Sequence, residues 1–274
     1  NKRVHRVSLI NNHSPGVFKL GSIQVHIPYS KIDENISLIM DNRLNLEILL
    51  DADSVDSTSE SLMEDLMERL SYVPVITIHA PFLDLSPGST DSFIRRATME
   101  RLMLLDEKIR PLSPRKIVFH TGYDKWSFNG NREVWLKNSL VFWGSFIERL
   151  GSRRGYDILL ENIFEDEPDY IVKLLNGIDS PSFGFCFDIG HCNVFSKVGI
   201  EDWIAALGDK LQEVHIHDNH GKSDEHLGIG EGTIGFDSFF KLLNKEGIDP
   251  FLTIEGHSMP AVEKSLLYLK RYEK

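Results

Sequence analysis

The sequence predicts an α/β fold, a (β/α)8 TIM barrel forming a single domain. Three observations lead there. Eight short runs rich in β-branched and aromatic residues recur along the chain, and amphipathic stretches of helical period lie between them. No composition break, low-complexity tract or long linker divides the 274 residues. A doubly wound open sheet is the competing arrangement. It does not usually need eight similar units, and no glycine fingerprint of a dinucleotide site follows the first run.

The strand-like runs are "SIQVHI" (22–27), "LNLEILL" (44–50), "VITIHA" (75–80), "KIVFHT" (116–121), "DILLEN" (157–162), "FGFCFD" (183–188), "LQEVHIH" (211–217) and "FLTIEG" (251–256). Among the helical stretches, 91–109 places Ile94, Ala97, Leu102, Leu105 and Ile109 at gaps of three to five. The stretch 133–151 is more regular, with Leu136, Leu140, Trp143, Ile147 and Leu150 at alternating gaps of four and three, and it stops at Gly151. Segments 235–247 and 261–274 close the series. The barrel is expected over 21–274, with residues 1–20 as an N-terminal arm or a lid across the barrel floor.

Composition narrows the function classes. With 41% hydrophobic and 26% charged residues the chain is of ordinary globular type, and no run of 18 or more apolar residues offers a membrane span. The mildly basic first twenty residues lack the apolar core of a signal peptide. Two cysteines, Cys186 and Cys192, give no disulfide framework and suit a reducing, cytoplasmic setting. A net charge of -11 argues against a generic polyanion binder, although bound metal ions can reverse the field locally.

A barrel of this kind does its chemistry at the C-terminal ends of its strands. There the third run ends in His79, the fourth in His120, the fifth in Glu161, the sixth in Asp188, the seventh in His215 and His217, and the eighth in Glu255. His191 follows Asp188 by three residues, His26 stands near the end of the first run, and the loop after the seventh adds Asp224 and His226. One histidine on a strand is most often a hydrogen-bonded core or rim residue, and one acid at a strand end is often a helix cap. Six consecutive strands ending in His, Glu or Asp on the catalytic face is a different matter. Such carboxylates would repel one another and lose hydration at a cost of several kcal/mol unless cations sat among them. Imidazoles and carboxylates without convergent cysteines suit Zn²⁺ or Mn²⁺, with Fe or Co as further candidates. The i, i+2 spacing of Asp224 and His226 lets a short extended segment present both to one ion. A metal site holding more than one ion is therefore expected. His220 is read as solvent-exposed.

These residues resemble the xylose-isomerase-like barrel superfamily, which includes endonuclease IV (the family 2 apurinic endonucleases) and the sugar isomerases and epimerases. The resemblance runs over about 75–257 and is carried by "HAPF", "FHTG", "LLENI", "FDIGH", "VHIHDN", "DEHLGIGEG" and "TIEG". It implies that Glu161, Asp188, His215 and Glu255 are the ligand set shared by both branches. It further implies that His79, His120, His191, Asp224 and His226 fill the five positions added in the endonuclease IV branch. On that plan His79, His120 and Glu161 would bind one zinc. Glu161 would bridge to a second held also by Asp188, His215 and Glu255, and His191, Asp224 and His226 would hold a third. Zinc-activated water would then attack phosphorus, with Glu161, Glu255 and His191 in catalytic positions.

Nine filled ligand positions favour a metal-dependent phosphodiester hydrolase over a sugar isomerase or epimerase with one or two ions. The latter branch often carries a substrate-binding arginine in the loop after the seventh strand, where this chain has only Lys222. A true apurinic endonuclease is the third reading, and a binding protein with a vestigial site the last. Duplex DNA is disfavoured because the loops "DADSVDSTSESLMED" (51–65) and "IFEDEPDY" (163–170) are acidic, although some of these acids are expected to cap helices. Phe82, Tyr123, Lys125 and Trp126 offer aromatic and basic contacts on the rim, with Phe128 beside them. With His26, His217 and Lys222 they make the expected substrate-binding group. Tyr123, Trp126 and Phe128 read equally well as a flap packed on the next helix. The expected partner is a small nucleotide-containing molecule or cofactor, an analogy to the superfamily branch that acts on the nucleotide loop of cobamides.

Overall fold

The computed structural model describes residues 22–151, 155–178 and 180–272. The expected N-terminal arm, 1–20, lies outside them. Eight parallel strands close into a barrel in sequence order, β1 (Ile23–Pro28), β2 (Asn45–Leu49), β3 (Ile76–His79), β4 (Lys116–His120), β5 (Asp157–Glu161), β6 (Phe183–Asp188), β7 (Leu211–Ile216) and β8 (Phe251–Ile254), with β8 pairing back onto β1. Each coincides with one of the eight runs to within two residues at either end. Closure leaves no strand edge unpaired.

Helices follow the strands: α1 (Ile32–Asn42) after β1, α2 (Ala52–Ser57) and α3 (Glu60–Arg69) after β2, α4 (Ser92–Ile109) after β3 and α5 (Arg132–Leu150) after β4. The second half has α6 (Asp169–Gly177), α7 (Ile189–Phe195), α8 (Ile200–Leu207), α9 (Phe236–Glu246) and α10 (Met259–Leu269). Side chains at their N-termini explain where several begin. Asp51 accepts from the Ser54 amide, Ser59 from Leu62, Asp91 from Phe93 and Ser258 from Ala261, each satisfying an amide that has no intrahelical partner.

Alternation along the strands sorts the side chains into two regions. Outward-facing residues meet the helices in one continuous core, where Trp143 packs edge-on against Phe119, Phe142 and Phe146, and Trp203 stacks on Phe185 at 6.0 Å. Burying a tryptophan of this size removes roughly 200 Å² from water, worth on the order of 5 kcal/mol before entropy. Among the described residues Val118, Leu159 and Cys186, on inward-facing positions of β4, β5 and β6, form a small apolar cluster apart from that core. The rest of the lumen is polar. The Gln24 amide nitrogen lies within hydrogen-bond distance of Thr77 (2.7 Å), Glu213 (2.6 Å) and Thr253 (2.8 Å), and burial pushes the Glu213 carboxyl up to about 8.

In α4 the buried face is the predicted one at Leu102, Leu105 and Ile109 but not in the first turns. Ile94 and Ala97 are exposed, and Thr98 and Met99 join Leu102, Leu105 and Ile109 against the sheet. The start of the helix is solvent-exposed, at Phe93 and Ile94 as well as at Ala97.

Candidate metal centre

The strand ends bring the predicted donors together. Register sets His120 of β4 opposite Glu161 of β5, and Asp188 of β6 opposite His215 of β7. Three donor groups among the described residues hold the expected ligands, each drawn from side-chain atoms within 4.8 Å of one another: His79, His120 and Glu161; Glu161, Asp188 and His215, with Glu255 alongside; and His191, His217, Asp224 and His226. His215 also falls in groups with His79 and Glu255 and with Glu47 and Glu213. Glu255 Oε2 stands 3.5 Å from His215 Nδ1, and Glu161 Oε1 equally 3.5 Å from it. All nine expected ligands therefore converge. His217, expected as a substrate contact, sits inside the third group, its Nε2 3.1 Å from Asp188.

What surrounds the imidazoles fixes which nitrogen each presents. Nδ1 of His79 lies 3.0 Å from the Ala80 carbonyl, Nδ1 of His191 3.0 Å from that of Asn162, and Nδ1 of His226 2.8 Å from that of Glu255. A ring that donates Nδ1–H to a carbonyl keeps Nε2 unprotonated, the form that binds a metal. Nε2 of His79 accordingly faces Glu161 at 3.2 Å, and those of His191 and His226 face Asp224 at 3.2 and 2.9 Å. His226 holds its place with φ +50°, in the left-handed region.

Neighbouring residues supply the rest of the scaffold. The Asn162 side chain brackets the backbone of Asp188, accepting from its amide and donating to its carbonyl, both at 2.9 Å. Asp218 accepts the amides of Gly230, Gly232 and Ile234, which ties the "GIGEG" segment back to the end of β7. Two glycines are required by close approach. A Cβ on Gly190 would lie 2.0 Å from the His217 ring, and one on Gly232 2.2 Å from the Asn219 carbonyl oxygen.

Electrostatics point to cations in this cleft. Burial works against charge on His191 and His215, yet the carboxylates around them lift both well above the usual imidazole range. His226 is likewise raised to about 9, against its burial, by Asp224 and Glu255. Glu161 stays far below the usual carboxylate range despite burial, and Glu255 falls to about 2, because histidines surround them. His120 moves the other way, lowered by burial. Glu161 Oε1, Glu255 Oε2, Asp224 Oδ1 and Nδ1 of His215 and His217 are buried without a hydrogen-bond partner among the described residues. Five such atoms aimed into one cleft, with carboxylates that stay ionised, are what divalent ions would satisfy. The donor set fits Zn²⁺ or a similar ion.

The rim is mixed. Phe82 stacks on His120 at 4.2 Å, and His26 lies 2.9 Å from Glu47 and 3.4 Å from Glu255, so both border the centre. Lys222 is exposed on the loop between β7 and α9, as is His220, which pairs with Glu225. Tyr123 and Phe128 are not available to a ligand. They stack on each other and Tyr123 packs edge-on against Trp135, so the flap reading holds for these two. Trp126 is 66% exposed, its edge against Phe164, which continues through Phe195 toward His191. Lys125 is engaged by Asp166 at 2.9 Å. Asp166 also pairs with Arg132 and Lys197, while Glu165 is buried, raised by that burial and bonded to Thr121. These acids of the 163–170 loop are thus already compensated and repel a polyanion less than their number suggests.

Two residues near the centre escaped the sequence reading. Glu47, the lone charge in the apolar run of β2, sits fully buried between His26 and His215. His257 stacks on His226 at 3.7 Å, and His226 on His217 at 3.9 Å. The signal for Glu47 was its interruption of a hydrophobic strand.

Comparison with known proteins agrees with the barrel fold. The family model described as xylose isomerase-like TIM barrel matches residues 50–272. An uncharacterised protein of Methanocaldococcus jannaschii is 34% identical over 217 residues, 76% of this chain and 73% of that protein. A probable endonuclease 4 of Mesomycoplasma hyopneumoniae is 26% identical over 189 residues, 61% of this chain and 64% of that protein. Among solved structures, a D-tagatose 3-epimerase-like protein superposes with a TM-score of 0.77 at 27% identity, covering 92% of this chain and 96% of its own.

Proposed function

Because the chain belongs to the xylose isomerase-like TIM-barrel family, we propose that it is a divalent-metal-dependent enzyme, and that its reaction is hydrolysis of a phosphodiester in a small nucleotide-containing molecule. The observation that carries the reading is the third donor group. His191, Asp224 and His226, joined by His217, form a further set beside Glu161, Asp188, His215 and Glu255, linked to it where His191 and His217 reach Asp188, and an isomerase working on one ion has no need of it. Likeness to a probable endonuclease 4 supports the same chemistry. Divalent ions held there would supply Lewis acidity, lowering the pKa of water toward neutrality and offsetting charge on phosphoryl oxygens.

The chain's own residues do the positioning. Glu161 stands between the first two groups, within 3.2–3.5 Å of His79, His120, His191 and His215, so it links them. His191 joins the second group to the third, 3.5 Å from Asp188 and 3.2 Å from Asp224. Phe82 and Trp126 offer ring faces to a planar group, and the net charge of -11 weighs against a long nucleic acid.

A second reading is a sugar isomerase or epimerase, and the solved structure described as D-tagatose 3-epimerase-like favours it. On that reading Glu161 and Glu255, on either side of His215, would pass a proton on and off the substrate. Elemental analysis of protein purified without chelator separates the two, alongside assays on bis(4-nitrophenyl) phosphate and on ketohexoses. Hydrolysis predicts about three ions per chain, and His226→Ala should lose one of them with most phosphodiester cleavage. About one ion, with ketose interconversion and no cleavage, would replace this reading by the second.

A further inference from the structure

Three of the imidazoles in the centre are oriented by backbone carbonyls, but His215 is oriented by a carboxylate. β1 and β2 pair with His26 directly opposite Glu47, and both side chains turn into the barrel toward β7. Glu47 Oε1 accepts from His26 Nδ1 at 2.9 Å, and both Glu47 oxygens lie 3.3 Å from Nε2 of His215. Nδ1 of His215 has no hydrogen-bond partner among the described residues and faces Glu161, Glu255 and Asp188 at 3.5, 3.5 and 3.8 Å. His215 thus offers the opposite nitrogen from His79, His191 and His226.

We propose that Glu47 is the positioning residue of this centre: its carboxylate keeps the proton of His215 on Nε2, turns Nδ1 into the ligand nitrogen, and makes that nitrogen a stronger donor. A carboxylate behind a metal-binding imidazole raises ligand basicity and fixes the ring, and losing one commonly weakens metal binding 10–100-fold. The environment suits the task. Glu47 is fully buried, so its charge acts on His215 with little screening, and the next acid in the lumen, Glu213, is held mostly neutral by burial. The same carboxylate holds His26, which in turn reaches Glu255 at 3.4 Å. Glu47 therefore couples β1, β2, β7 and β8 across the seam where the barrel closes. Strand 2, which contributes no ligand, serves the centre through this one side chain. The inference rests on the reading that Glu161, Asp188, His215 and Glu255 hold a divalent ion, and not on which reaction follows.

The test uses the full chain freed of metal and titrated with Zn²⁺ against a coloured chelator, comparing wild type with Glu47→Gln, Glu47→Asp and Glu47→Ala. Glu47→Gln keeps the shape and loses the charge, so affinity at the tightest site should fall about 10–100-fold. Glu47→Asp keeps the charge with a shorter reach and should recover part of that loss. Long-range ¹H–¹⁵N correlation of the histidine rings should show Nε2–H, Nδ1-unprotonated His215 in the zinc-bound wild type and a mixed or reversed tautomer in Glu47→Gln. A merely structural role would lower the melting temperature and leave that tautomer unchanged. A folded Glu47→Gln protein with wild-type zinc affinity and an unchanged His215 tautomer overturns the proposal. Wild type that takes up no zinc, or any other divalent ion, removes the metal centre itself and the proposal with it.

Discussion

Stripping the protein of divalent ions should give it a pH dependence that zinc abolishes. His226 is only 8% exposed, and its pKa is raised from 6.5 to about 9 because Asp224 and Glu255 outweigh its burial. A folded-state value above the unfolded one stabilises fully below about pH 6.5, and that contribution is lost as pH rises through 9. A shift of about 2.5 units corresponds to roughly 3 kcal/mol, with the His226–Asp224 pair counted once. At about 2.1 cal/mol/K per residue of unfolding entropy, that is a fall of about 5 °C in melting temperature. His79, His191 and His215 are also raised, so they add in the same direction, while His120 is lowered and opposes them. Glu161, Asp224 and Glu255 are depressed, so their contribution holds above about pH 4.5 and is lost in acid. Metal-free protein should therefore be most stable between about pH 4.5 and 6.5. Zinc binds unprotonated imidazole, so the loaded protein should lack the alkaline decline. Differential scanning calorimetry from pH 6 to 9.5, with EDTA and with zinc, measures both. A metal-free melting temperature that stays flat or rises between pH 6.5 and 9 would refute the reasoning.

Two substitutions probe the scaffold. Gly190→Ala would drive a methyl into the His217 ring, whose nearest atom lies 2.0 Å from the new Cβ, and displace the His217–His226 stack. It should cost about 1–3 kcal/mol and lower zinc content at the third group, and full zinc content at the wild-type melting temperature would show that His217 moves freely. Asp166→Ala removes the shared partner of Lys125, Arg132 and Lys197, leaving Lys125 its bond to the Phe195 carbonyl and Arg132 its pairing with Glu167. Trypsin should then cut after Lys125 or Arg132 several-fold faster in the native protein, as followed by mass spectrometry. An unchanged digestion rate would mean that the Tyr123–Phe128–Trp135 packing alone holds the flap.

Strands were legible because a barrel strand is buried on both faces, and eight short apolar runs stand out against the polar loops between them. The ligands were legible because this fold gathers strand ends, so position in a run already implied position in space. Direction along a helix was less so. The face of α4 depends on how far the neighbours cover it, which is why Ile94 was placed inside and is exposed. Glu47 was missed for a related reason: alternation marks it as inward-facing, but nothing local says that the lumen there is polar. Tyr123 and Trp126 are three residues apart in one loop, and only the packing of Trp135 beneath them decides that one is core and the other is exposed. The acidity of the loop after β5 reads from sequence without its partners, which for Asp166 are Lys125, Arg132 and Lys197 from other segments.

His226 sits in a backbone conformation that costs a non-glycine residue about 1 kcal/mol, and it does so to aim Nε2 at Asp224. While the ring is protonated its pairing with Asp224 and Glu255 outweighs that strain, so in the metal-free fold the strain stands uncompensated only as pH rises through about 9. A library of variants ranked for heat resistance in chelating buffer above about pH 9, where that pairing is lost, would reward Gly or Asn at 226, since both relax the backbone. The same library ranked in zinc would discard them. Thermostability selected without metal in alkali would drift away from the centre at this histidine, whereas the same selection near neutrality would keep it.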